Sequence, residues 1–178
     1  MKKILISALL IAAVSAAPAF AAGDAAAGKA LYGTCAACHG ANAEGNKAMN
    51  APKLAGQGEW YLVRQLANFK GGIRGTSAND TYGKTMGPMA MMLADDNAMA
   101  NVAAYIASLP VSHPAATVQG DAAAGKTGYA MCSACHGADG RGNPAMNAPT
   151  LAGQSDFYLV TQLKNFKSGA RGAHAKDS

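Results

Sequence analysis

Seven residues decide most of what this chain can become. Thr34 to Gly40 read TCAACHG, and 97 positions later Met131 to Gly137 read MCSACHG. Around them, residues 23–81 overlay residues 120–178 without a gap, with 38 identities in 59 positions. GDAAAGK recurs unchanged, GNKAMNAPKLAGQ returns as GNPAMNAPTLAGQ, and WYLVRQLANFKGGIRG returns as FYLVTQLKNFKSGARG. Such identity at one fixed offset is an internal duplication, so the fold is expected to consist of two related modules.

All 4 cysteines lie in these two pairs, and a histidine follows each pair. Thioredoxin-like redox chemistry would place the pair after a strand in a βαβ unit, and no such pattern is visible. A four-cysteine zinc ribbon brings its pairs about 15–20 residues apart, far less than the spacing here. Structural disulfides suit an oxidising compartment, but they give no reason for the histidines. Haem attachment accounts for all six residues. Cys35 and Cys38, and again Cys132 and Cys135, present two thiols on one helical turn to the vinyl edge of a porphyrin. His39 and His136 then offer an imidazole to the iron. The cofactors expected are two covalently bound haem c groups.

The N-terminus sets the compartment. MKK is followed by the apolar run Ile4 to Ala17 and by Ala19-Phe20-Ala21, a small-x-small cleavage site. A bilayer span needs about 20 apolar residues, so residues 1–21 read as a signal peptide cleaved after Ala21 and the mature chain as periplasmic. The net charge of +5 includes Lys2 and Lys3. Without them, +3 remains over 157 residues, and four haem propionates would bring it to about −1. Scattered cations without aromatic interleaving give no nucleic-acid groove.

The class is all-α. Asp24 is placed to cap a helix running into the first Cys pair. Residues 59–70 put Leu62, Leu66 and Phe69 on one face, with Gly71-Gly72 as a stop, and residues 156–167 repeat that helix. A further helix is capped by Asp95, carries Met99, Val102, Ile106 and Leu109 on one face, and ends at Pro110. The stretches between read as loops. The expected organisation is a first domain at 22–110, a linker at 111–118 and a second domain at 119–178. That second domain lacks a copy of residues 82–110.

A sixth ligand for the first iron would come from TMGPMAMML, where Met86, Met89, Met91 and Met92 are all candidates. Methionine sulfur suits low-spin iron and raises its reduction potential. Pro88 would hold this loop open. The basic residues Lys70, Arg74, Lys167 and Arg171 read as a solvated helix end, with docking to an acidic partner as the other option.

The Cys-x-x-Cys-His-Gly motif, the Pro-x-Leu-x-Gly-Gln loop, the YLVRQLANFK helix and the late Met segment together resemble a class I cytochrome c. The tandem arrangement is similar to that of the cytochrome c4 group, two-haem periplasmic electron carriers. The resemblance covers nearly all of the mature chain. It implies that the carbonyls of Pro52 and Pro149 accept the protons of His39 and His136. It also selects Met86, since Met-x-x-x-Ala-x-x-Leu maps onto Met86, Ala90 and Leu93. The second module departs from the pattern, with no Met loop and no closing helix. Met131 and Met146 are poorly placed to replace the ligand, and His174 is a weak substitute. An incomplete second copy is the plain expectation.

No catalytic base, nucleophile or substrate pocket is discernible, so the chain is not expected to be an enzyme. The function implied is carriage of single electrons between a membrane donor complex and a terminal oxidase or reductase, with peripheral membrane association as a further option. The alternative is an open iron at His136, giving small-ligand sensing or weak peroxidase activity.

Overall fold

The computed structural model describes residues 22–177. The expected leader and its cleavage site lie outside these residues. Six α-helices form among the described residues: α1 Ala25–His39, α2 Glu59–Lys70, α3 Gly83–Met91, α4 Asp96–Ser108, α5 Ala122–His136 and α6 Asp156–Ser168. No strand forms among the described residues, and only the isolated bridges Asn46 to Ala51 and Asn143 to Ala148 occur. Within the same residues, no helix is long and apolar enough to cross a membrane.

The two copies build their first helix in the same way. Asp24 sits in extended backbone, and its carboxylate accepts from the amides of Ala26 and Ala27 at 2.8 and 3.3 Å. Asp121 does the same for Ala123 and Ala124 at 2.8 and 3.2 Å. Each cap satisfies donors that the first turn leaves without a partner. Each helix stops where Gly40 (φ +84°) or Gly137 (φ +81°) takes a left-handed φ that other residues avoid.

In the first module α4 packs on α1 and α2, and α3 packs on α2. Asp95 caps α4 by accepting from Ala98 N at 2.8 Å. The apolar face of α4 closes a core in which Tyr32, Leu62, Val63, Met99, Val102 and Ile106 are buried. At the crossing of α1 and α4 there is no room for a side chain. A Cβ on Gly28 would lie 1.9 Å from the Asn101 carbonyl oxygen.

One expectation needs correcting. The Met segment is a helix rather than an open loop, and Pro88 lies inside it. Asp80 anchors the start of α3 by accepting from Gly83 N at 3.0 Å. Proline removes one internal amide donor, yet the helix continues for another turn to Met91.

The second module has no counterpart of α3 and α4 among the described residues, and neither α5 nor α6 contains a buried residue. Gly125, equivalent to Gly28, faces nothing within 4 Å. Phe166 is 43% exposed, whereas its equivalent Phe69 is 6% exposed.

The modules meet through pairwise reciprocal contacts. Arg74 donates to Tyr158 Oη and Gln162 Oε1 at 3.0 and 2.9 Å. Arg171 donates to Tyr61 Oη and Gln65 Oε1 at 3.2 and 3.3 Å. Gln57 Nε2 donates to Thr150 O at 2.6 Å, and Gln154 Nε2 to Lys53 O at 2.8 Å. Each pair is the other displaced by the repeat offset, so the interface has an approximate two-fold. The reading of Arg74 and Arg171 as solvated is therefore overturned, because both are buried in this network. Lys70 also has a structural task, donating to the carbonyls of Leu93 and Ala94 at the end of α3.

Candidate haem-attachment sites

Cys35 and Cys38 stand on the final turn of α1, and Cys132 and Cys135 on the final turn of α5. A spacing of three puts two side chains on the same helix face. The four thiols are free rather than paired as disulfides. Nor do the two pairs converge on a shared site, for no cluster of three metal-binding side chains forms among the described residues. Burial, with the neighbouring Cys38, pushes the Cys35 thiol up.

His39 ends α1 and is 5% exposed. Its Nδ1 lies 2.8 Å from the Pro52 carbonyl oxygen, and His136 Nδ1 lies 2.8 Å from that of Pro149. A carbonyl only accepts, so Nδ1 carries the proton in each ring, and Nε2 is the nitrogen left to bind iron. Burial holds the His39 pKa below the usual histidine value, with the Pro52 contact opposing it. A neutral imidazole with one nitrogen fixed and the other free is what an iron ligand requires. Two thiols on the adjoining turn complete a donor set that fits a haem c at each site.

The loops that deliver these prolines are built alike. Gly45 N donates to His39 O at 2.8 Å, and Gly142 N to His136 O at 2.8 Å. Asn46 and Asn143 cap single 3-10 turns, and Asn50 and Asn147 leave them in left-handed conformation. Tyr32 Oη donates to Gly40 O at 2.8 Å and Tyr129 Oη to Gly137 O at 2.7 Å, pinning the carbonyl after each histidine. These tyrosines were legible only as matches between the copies, and their role follows from the geometry.

Met86 is half-buried on α3, whereas Met89, Met91 and Met92 are exposed. In the second module Met131 is 88% exposed and Met146 is 51% exposed. His174 is exposed, and its Nδ1 accepts from Lys176 N at 3.1 Å.

Comparison with known proteins agrees with this geometry. The family described as "Cytochrome c" matches residues 25–110 and 122–177. Cytochrome c4 of Azotobacter vinelandii is 39% identical over 149 residues, covering 77% of this chain and 69% of its own. A thiosulfate dehydrogenase electron acceptor of Stutzerimonas stutzeri is 36% identical over 148 residues, covering 77% of this chain and 64% of its own. Among solved structures, reduced recombinant cytochrome c4 from Pseudomonas stutzeri superposes with a TM-score of 0.66 at 34% identity. That match covers 85% of this chain and 84% of the other.

Proposed function

The chain belongs to the cytochrome c family and is a two-haem electron-transfer protein, and we propose that it works in the periplasm, relaying single electrons between respiratory partners. The observation that carries this reading is the repeated histidine-to-proline contact at 2.8 Å beside two free thiols. In it, Cys35 and Cys38 fasten the first haem, and Cys132 and Cys135 fasten the second. His39 and His136 bind iron through Nε2, oriented by Pro52 and Pro149. Met86 is the sixth ligand of the first iron. The group supplies a one-electron Fe(III)/Fe(II) couple, and the protein keeps the coordination fixed so that the change of state needs little rearrangement.

The signal-like N-terminus supports the compartment, and the domains are taken as 22–110 and 119–178 about a linker. A donor complex in the membrane and a terminal oxidase or reductase are the proposed partners. One relative's description as an electron acceptor of a dehydrogenase supports an enzyme partner on the donor side.

Spectroscopy of the holoprotein tests the reading. Two haems per chain, reversible one-electron reduction and no carbon monoxide uptake by the reduced His39 haem are expected. Failure to reduce reversibly would remove the carrier role. Uptake of carbon monoxide by one haem per chain, at His136, would instead favour small-ligand binding there.

A further inference from the structure

Between the modules lies a small cleft lined by Lys53, Gln57, Val111, Thr150, Gly153 and Gln154. Lys53 is 3% exposed, and its ammonium crosses the interface to donate to Gly153 O at 2.9 Å. Among the described residues the only ion pairs are Arg141 with Asp139 and Arg171 with Asp177, so no carboxylate side chain pairs with it. An unpaired buried cation is costly and is seldom retained without a use. Burial accordingly lowers the Lys53 pKa.

Its position is specific. The Pro52 carbonyl that faces His39 belongs to the peptide bond whose nitrogen is that of Lys53. The acceptor of the ammonium, Gly153, lies on the loop that begins with Pro149, whose carbonyl faces His136. The charge is thus held between the two loops that orient the two candidate iron ligands. Reciprocal contacts from Gln57 and Gln154 lock those loops together, and Gln154 binds the Lys53 carbonyl itself. The equivalent of Lys53 in the second module is Thr150, whose neutral hydroxyl turns away to donate to Arg141 O at 2.9 Å. The approximate two-fold is broken here by one full positive charge.

We propose that the buried Lys53 ammonium is a potential-setting residue that raises the reduction potentials of both haems from the module interface. This rests on the electron-carrier reading. Each reduction, Fe(III) plus one electron from the donor to give Fe(II), removes one unit of positive charge from a haem centre. A fixed cation nearby therefore favours the ferrous state, and burial protects the effect from salt.

The test is a spectroelectrochemical titration of the holoprotein at mildly acidic pH, comparing wild type, Lys53→Met and Lys53→Arg. At the wild-type midpoints, Lys53→Met should lower the ferrous-to-ferric ratio of both haems by about threefold or more. Lys53→Arg, which keeps the charge, should stay close to wild type. Unmoved midpoints in Lys53→Met, or equal shifts in Met and Arg variants, would overturn the proposal. Should Lys53→Met not accumulate with haem, Lys53→Gln gives the same comparison with a side chain that can still donate to Gly153. If wild type itself shows no reversible couple, it is the carrier reading that fails. Reversible couples indifferent to Lys53 remove only this inference.

Discussion

The duplication supplies an internal control for a stability experiment at Gly28 and Gly125. Both are the fourth residue of their helix, and alanine there improves helix propensity by up to about 1 kcal/mol. Only Gly28 is crossed by another helix. Its added Cβ would stand 1.9 Å from Asn101 O, while a carbon-to-oxygen contact needs at least about 3.3 Å. Helices α1 and α4 must then part by about 1.4 Å, enough to forfeit a large share of the dispersion contacts between them. Those contacts include the Tyr32–Tyr105 ring pair, with centroids 5.3 Å apart. Set against the propensity gain, overpacking of about 3 kcal/mol leaves Gly28→Ala less stable by about 2 kcal/mol. Gly125→Ala, facing open space, should be more stable by up to about 1 kcal/mol. Denaturant unfolding of the haem-loaded mature protein, followed by far-ultraviolet circular dichroism and by the Soret band, separates the module transitions. In a thermal scan, the first-module midpoint should fall by roughly 10 °C for Gly28→Ala. Two variants that shift stability in the same direction would refute the tight α1–α4 crossing.

Three further outcomes follow from the geometry. Met86→Ala should open the sixth position of the first haem, lower its potential and admit carbon monoxide, whereas Met89→Ala should leave the visible spectrum unchanged. Arg171→Met strands the Asp177 carboxylate, which is buried and paired at 3.2 Å. That should cost about 3–5 kcal/mol in denaturant unfolding, and a loss below about 1 kcal/mol would contradict the buried pairing. Asp156 accepts from Thr117 N, Thr117 Oγ1 and Val118 N, which holds its carboxyl well below the usual range. A depressed carboxylate pKa stabilises the folded form above the unfolded value, and that contribution fades as pH falls toward the folded one. Limited proteolysis of residues 111–118 should therefore accelerate on acidification in wild type, and Asp156→Asn should be fast already at neutral pH.

What the sequence made legible was local chemistry. The caps at Asp24 and Asp95 depend on one side chain and the next turn of backbone, so they could be read directly, and Asp121 repeats the first at the same offset. The bounds of α2 follow from its apolar period and the glycines after it. The contacts of His39 with Pro52 and of His136 with Pro149 span 13 residues, and a motif held within one loop could imply them. Helix α3 was missed because Pro88 and two glycines argue against a helix, while its packing against α2 outweighs that propensity. Arg74, Arg171 and Lys53 were misread or passed over because their partners across the interface lie 84 to 110 positions away. No local pattern reports on a contact that exists only once two modules meet.

The repeat itself carried a clue to that meeting. An interface with approximate two-fold symmetry asks each copy to offer the same groups, since residue i of one meets residue j of the other and the reverse. Tyr61, Gln65 and Arg74 match Tyr158, Gln162 and Arg171, and all six take part in the network. Haem attachment explains identity at the cysteines and histidines, but it gives no reason for identity at these three positions. The interface does. It also explains how the second module keeps its place although α5 and α6 bury no residue of their own. Its buried side chains include Arg171, which spans the interface, and Asp177, which pairs with it. The position of the second haem motif is thus fixed by contacts with the first module more than by a core of its own. Disrupting the arginine network should therefore alter the coupling between the two redox centres before it alters either attachment site.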